Sequence, residues 1–122
     1  MSKVRRILTL FLLMPVLVSA QKAYTAVKYK AMPDTHEFYF TLGSGYLAAS
    51  KIKLVAGGKS VLFYPDSNLP DDKDQLAFRA NGHSDYFILN NMLESYDSLP
   101  QIIIARYWTN KRWRIIKLVL SR

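Results

Sequence analysis

The chain has no cysteine. Disulfides, Cys-ligated zinc and iron–sulfur clusters are therefore excluded, as is a lipid anchor attached through a cysteine. Glutamate is nearly absent: Glu37 and Glu94 are the only two, so any paired-carboxylate hydrolysis must draw on aspartates. His36 and His83 are the only histidines, and two histidines alone make a poor zinc site. No Gly-x-Ser-x-Gly elbow is present, since Gly43-Ser44-Gly45 lacks the residue that the motif needs on each side of the serine. Gly58-Lys59-Ser60 resembles the end of a phosphate-binding loop. The first glycine of that pattern is replaced by Lys53, and Val61-Leu62-Phe63-Tyr64 reads as a strand where a helix is needed. No catalytic residue and no cofactor are assigned.

The longest apolar run is also short. Lys3, Arg5 and Arg6 form a basic head, and Ile7 to Val18 follow without a charge, interrupted by Thr9 and Pro15. As a helix this run covers about 18 Å of a hydrocarbon layer about 30 Å thick, too little to span it. Val18-Ser19-Ala20 then offers small side chains ahead of polar Gln21-Lys22. Basic head, short apolar run and small-residue exit describe a secretory signal peptide over 1–20. The expectation is a bacterial chain exported to the periplasm or outside, with one domain over 21–122 and no transmembrane segment after cleavage.

Positive charge is in excess, with 17 Lys and Arg against 9 Asp and Glu. It is unevenly placed. Residues 66–85 hold Asp66, Asp71, Asp72, Asp74 and Asp85 against Lys73 and Arg79, whereas 106–122 carry six basic residues and no acid. Such a basic end suits an anionic partner such as lipopolysaccharide, phospholipid headgroups or nucleic acid, or simply a solvated edge. No motif points to specific nucleic-acid binding.

Turn signals recur at short intervals, which predicts several short strands. Pro33-Asp34, Pro65-Asp66 and Pro70-Asp71 read as turn starts, and Gly43-Ser44-Gly45 and Gly57-Gly58 as sharp breaks. In His36–Leu42, Phe38, Phe40 and Leu42 face one way while Glu37, Tyr39 and Thr41 face the other. Lys51–Ala56 and Ser60–Tyr64 read as a hairpin with a primed turn at Gly57-Gly58. Ala23–Lys30 and Gln75–Ala80 are further strands. Over Ser84–Tyr96 the period changes: Tyr86, Leu89, Leu93 and Tyr96 share a helical stripe, Ser84 is placed as N-cap, and Leu99-Pro100 stops continuation. A closing hairpin follows over 101–120. The fold class expected is α+β: a largely antiparallel sheet with one helix packed on it and a C-terminal β-hairpin.

The stretch GSGYLAASKIKLVAGGKSVLFYPDSNLPDDKDQLAF, then ILNNML and a strand pair, resembles a group of small exported proteins of unknown function from Gram-negative bacteria. The resemblance covers roughly residues 36–122 and is one of pattern: a Gly-containing turn, a lysine-rich strand, a Gly-led strand ending in aromatics, a polar loop, a helix and a final hairpin. Glu94-Ser95-Tyr96 stands where that group often carries Gly-Trp. The resemblance implies compartment and fold, and no activity.

The final hairpin concentrates the candidate chemistry. With its turn at Asn110-Lys111, Trp108 pairs with Trp113, Tyr107 with Arg114 and Arg106 with Ile115, while Ile102–Ile104 and Ile115–Leu120 are expected to be core. Arg106, Trp108, Lys111, Arg112, Trp113, Arg114 and Lys117 then form a basic aromatic tip able to stack on rings and attract anions. The function expected is a non-catalytic envelope or extracellular interaction module that binds an anionic partner or another protein. The alternative is a small hydrolase or Ca-dependent protein centred on loop 66–74, with Asp66, Asp71, Asp72 and Asp74 as oxygen ligands. EF-hand spacing fails there, because Pro70 and Asp71 occupy the positions of a ligand and the required glycine.

Overall fold

A computed structural model describes residues 23–33 and 35–121. The expected signal peptide over 1–20 lies outside them. The described chain forms eight strands: β1 (Thr25–Ala31), β2 (Glu37–Ser44), β3 (Lys51–Ala56), β4 (Lys59–Pro65), β5 (Leu76–Arg79), β6 (Tyr86–Leu89), β7 (Ile102–Thr109) and β8 (Arg112–Leu120). Every strand pairs antiparallel with its neighbour in sequence, and β8 returns to β1 through Tyr29↔Leu120 and Lys30↔Val119. The result is a closed up-and-down barrel. Closure leaves no full-length sheet edge to template pairing with another chain.

This corrects the α+β expectation. Among the described residues the single helical element is a 3₁₀ turn at Leu47–Ala49. The segment expected as a helix, Ser84–Tyr96, is strand β6 followed by a loop. Tyr86–Leu89 is four apolar residues in a row, which satisfy a strand as well as a helical stripe. The decision comes from the neighbours: β6 pairs with β5 (Leu76↔Leu89) and with β7 (Phe87↔Tyr107), and the ring cannot close without it. Asn91, at φ +57°, turns the chain away. Tyr96 then pins the loop, its hydroxyl accepting from Leu93 N–H at 3.0 Å and donating to the Asn91 carbonyl at 2.6 Å.

Alternation decides what goes inside. Phe38, Phe40, Phe63, Phe78 and Phe87 are each at most 1% exposed and point into the barrel with Tyr29, Ile52, Ile103, Ile116 and Leu118. Phe87 stacks on Tyr107 at 4.3 Å and meets Phe63 edge-on at 4.9 Å. Phe40 meets Phe78 edge-on at 5.7 Å. Eight strands enclose a space that side chains can fill, and here aromatic rings fill it. Each such burial stabilises by about 1.5–3 kcal/mol. The polar and charged side chains accordingly lie on the outer wall and at the rims. Lys28, Lys30, Lys51, Lys53 and Lys117 sit at outward positions, the reverse of a membrane-spanning barrel, whose outer band is apolar. No helix among the described residues is long and apolar enough to cross a membrane.

The two ends differ. Longer connections cover one end, where Leu47 and Met92 are fully buried and Tyr29 donates its hydroxyl to the Pro100 carbonyl at 2.7 Å. Tight turns mark the other. Gly57 and Gly58 (φ +58° and +76°) form the primed turn of the β3–β4 hairpin, as expected. Asn110 and Lys111 (φ +51° and +59°) form the matching turn between β7 and β8. The expected break at Gly43-Ser44-Gly45 falls later, since Gly43 and Ser44 belong to β2 and only Gly45 turns.

Candidate functional site

The last hairpin has the expected register: Trp108↔Trp113, Tyr107↔Arg114 and Arg106↔Ile115. Its strand bases are only half core. Ile103, Ile116 and Leu118 face inward, but Ile102, Ile115 and Val119 are exposed, because period-2 alternation sends every second residue of β7 and β8 outside.

The predicted tip residues separate into two groups for the same reason. Arg106, Trp108, Trp113 and Lys117 share the outer wall. Lys111 lies in the turn. Arg114 has the opposite parity: it is opposite inward Tyr107 and half-buried, and with Arg112 it lines a depression at the rim beside Thr35 and His36. The basic aromatic tip is therefore not one surface, and Arg112 and Arg114 do not join the tryptophans.

The outer wall is larger than the hairpin. Pairing places Tyr64, Arg79, Tyr86, Trp108 and Trp113 in one row, each opposite the next, across β4 to β8. Five strands spaced by about 4.8 Å extend this row over about 19 Å. Trp108 and Trp113 lie 5.1 Å apart, and Trp113 also reaches Tyr86 at 5.6 Å, edge-on. Arg79 Cζ stands 4.2 Å above the Tyr86 ring, and Arg106 Cζ lies 5.4 Å from the centre of the Trp113 ring. Asp66 Oδ2 accepts from Arg79 Nε at 3.2 Å and Gln75 Oε1 from Arg106 Nη2 at 3.3 Å, which orients both guanidinium groups. A guanidinium lying on a ring still offers in-plane N–H groups to an oxyanion. Tyr64 is 52% exposed and Trp113 42%, so the row offers ring surface to solvent.

Tyr64, Gln75, Arg79 and Tyr86 were not among the residues predicted from sequence. Outward alternation in Leu76–Arg79 was a usable signal for Arg79. Tyr86 was hidden by the helical reading of its segment.

Below the tip, Asp85 Oδ2 accepts hydrogen bonds from the Tyr107 hydroxyl and Thr109 Oγ1, both at 3.1 Å. Burial, with the Asp85 carboxylate adding to it, pushes the Tyr107 phenol up to about 12. Asp85, within the segment expected as a helix, thus anchors β7 instead.

The acidic loop is held by its own backbone. Asp71 Oδ1 accepts from the N–H groups of Lys73 and Gln75, both at 2.9 Å, which holds its carboxyl below the usual range. The Asp74 carbonyl accepts from Met92 N–H at 2.8 Å, and Asp66 is engaged by Arg79. Among the described residues no group of three or more His, Cys, Asp or Glu side chains is placed to hold a metal ion. The histidines are no closer to hydrolytic chemistry. His36 stacks on Phe38 and His83 approaches Phe63, while Ser44 ends β2 at the far side of the barrel from His36.

Comparison with protein-family models, with curated proteins and with solved structures finds no match.

Proposed function

We propose that this protein is a non-catalytic, exported binding module whose outer wall at β4–β8 takes up an acidic polysaccharide. The observation that carries the reading is the row Tyr64–Arg79–Tyr86–Trp108–Trp113, four part-exposed or exposed rings with Arg79 among them and Arg106 beside Trp113, following the curve of the outer wall. Sugar rings present flat C–H faces that stack on tyrosine and indole. Carboxylate, sulfate or phosphate substituents meet the edges of Arg79 and Arg106, and Lys117 adds charge farther down β8. The interior packed with aromatic and aliphatic side chains supports a surface role. The export signal read in 1–20 supports a location where such polymers occur.

The test compares binding of an acidic and a neutral polysaccharide of similar length to the protein over a salt series. Preference for the acidic polymer, weakened steeply by salt and by Trp113→Ala, is the expected result. Equal binding to both polymers, or a flat salt response, overturns the reading.

A further inference from the structure

On the other side of the barrel the strand register builds a second cationic feature. Lys28, Thr41 and Lys51 lie in one row across β1, β2 and β3, and Lys30, Tyr39 and Lys53 in the next. All six positions have outward parity. Four lysines therefore stand at the corners of a rectangle, about 10 Å across the strands and about 7 Å along them, with Tyr39 and Thr41 between them. Lys28 Nζ donates to Thr41 Oγ1 at 3.1 Å. The six residues line a depression of about 820 Å³, with Glu37 the one acidic side chain in its wall. Among the described residues none of the four lysines forms an ion pair.

We propose that this rectangle is a binding site for a compact, multiply phosphorylated small molecule. Gathering four like charges on one face works against folding, and a polyanion offsets it. The choice of residue narrows the ligand. The aromatic wall uses arginines laid on rings, whereas this site uses lysines alone, compact charges whose three donors rotate to meet tetrahedral phosphate from any side. Thr41 Oγ1 accepts from Lys28, which leaves the Thr41 hydroxyl proton at the centre for a ligand oxygen. Partial desolvation, and then the Glu37 carboxylate that its hydroxyl engages, raise the Tyr39 phenol above its ordinary value, so Tyr39 ties up the one acidic side chain in the wall. A recess bounded at four corners fits a discrete ligand better than a flat membrane surface. This inference does not depend on the polysaccharide reading, because the two sites share no residue.

Calorimetric titration with inositol hexakisphosphate tests it, with orthophosphate and phosphatidylglycerol vesicles as parallel arms. The hexakisphosphate should bind, and orthophosphate at least about tenfold more weakly, because it reaches only one or two corners at a time. Lys30→Gln with Lys53→Gln should weaken hexakisphosphate binding by at least about tenfold, while Lys59→Gln, at the β3–β4 turn, should change it little. The double variant should melt no lower than the parent, which separates loss of a site from loss of fold. Equal loss from Lys59→Gln would reduce the effect to general charge. Binding to vesicles without binding to the free hexakisphosphate would replace the proposal with membrane docking. No binding in either arm would overturn it.

Discussion

Trp108 and Trp113 face each other on the outside of the barrel, ring centroids 5.1 Å apart and tilted by 60°. Their position follows from the turn: Asn110 and Lys111 fix a two-residue hairpin, so the tryptophans occupy a directly opposed pair one step from its end. They are the chain's only two tryptophans, so fluorescence reports this pair alone. Emission should be red-shifted and readily quenched by iodide and acrylamide. Blue-shifted, protected emission would mean that another surface covers the wall. Trp113→Phe should cost less than about 1 kcal/mol in urea unfolding, as one member of a cross-strand pair.

High pH should weaken the fold through Tyr107. Its phenol titrates near 10 in the unfolded chain and at about 12 in the barrel. The folded state therefore holds its proton more tightly, and the stability linked to it is fully present below pH 10 and lost as pH rises towards 12. Thermal melts of the parent and Tyr107→Phe should show a steeper decline for the parent across that window. Parallel curves would mean that the Tyr107 phenol is not buried in solution as the barrel places it.

Gly43 should resist replacement. A Cβ built there meets the Tyr46 carbonyl oxygen at 2.5 Å and Ala49 Cβ at 3.1 Å, where the chain leaves β2 and folds back through the 3₁₀ turn. Backbone is on one side of the clash, so relief requires the turn to move. The move also disturbs the bond from Gly43 N–H to Ser50 Oγ, 2.9 Å long and buried. Gly43→Ala should destabilise by about 1–3 kcal/mol in urea unfolding. By contrast Gly82, whose Cβ meets nothing within 4 Å, should report backbone strain alone.

Calcium gives the check on the acidic loop. With Asp71 occupied by Lys73 and Gln75 N–H groups, millimolar Ca²⁺ should leave the melting temperature unchanged. Asp71→Ala should lower it with or without the ion. A calcium-dependent rise would restore the loop as a metal site.

Much of the local structure was legible in residue order. Phe38, Phe40 and Leu42 alternate with Glu37, Tyr39 and Thr41, and that alternation alone separates core from surface in β2. Gly57-Gly58 and Asn110-Lys111 set two hairpins and their registers through backbone conformations that most residues avoid. Tyr86–Leu89 was not legible, because four apolar residues in sequence have no period that separates strand from helix. The signal peptide and the compartment are readings of residues 1–20, on which the described barrel does not bear.

What the sequence by itself determined was the facing of each side chain within its own strand and the sharpness of the turns. These depend on neighbours one to four residues apart. Closure was decided only by the tertiary structure. It converts Tyr86–Leu89 into a strand, buries five phenylalanines in a packed lumen, separates Arg112 and Arg114 from the tryptophans, and sets Arg79 and Tyr64 beside them. The lysine rectangle arises the same way, from β1 and β3, which β2 brings into register although their lysines are up to 25 residues apart in the chain. The physical reason is shared: a β-sheet satisfies its backbone hydrogen bonds across strands, so which side chains become neighbours is a property of the closed ring and not of any segment within it.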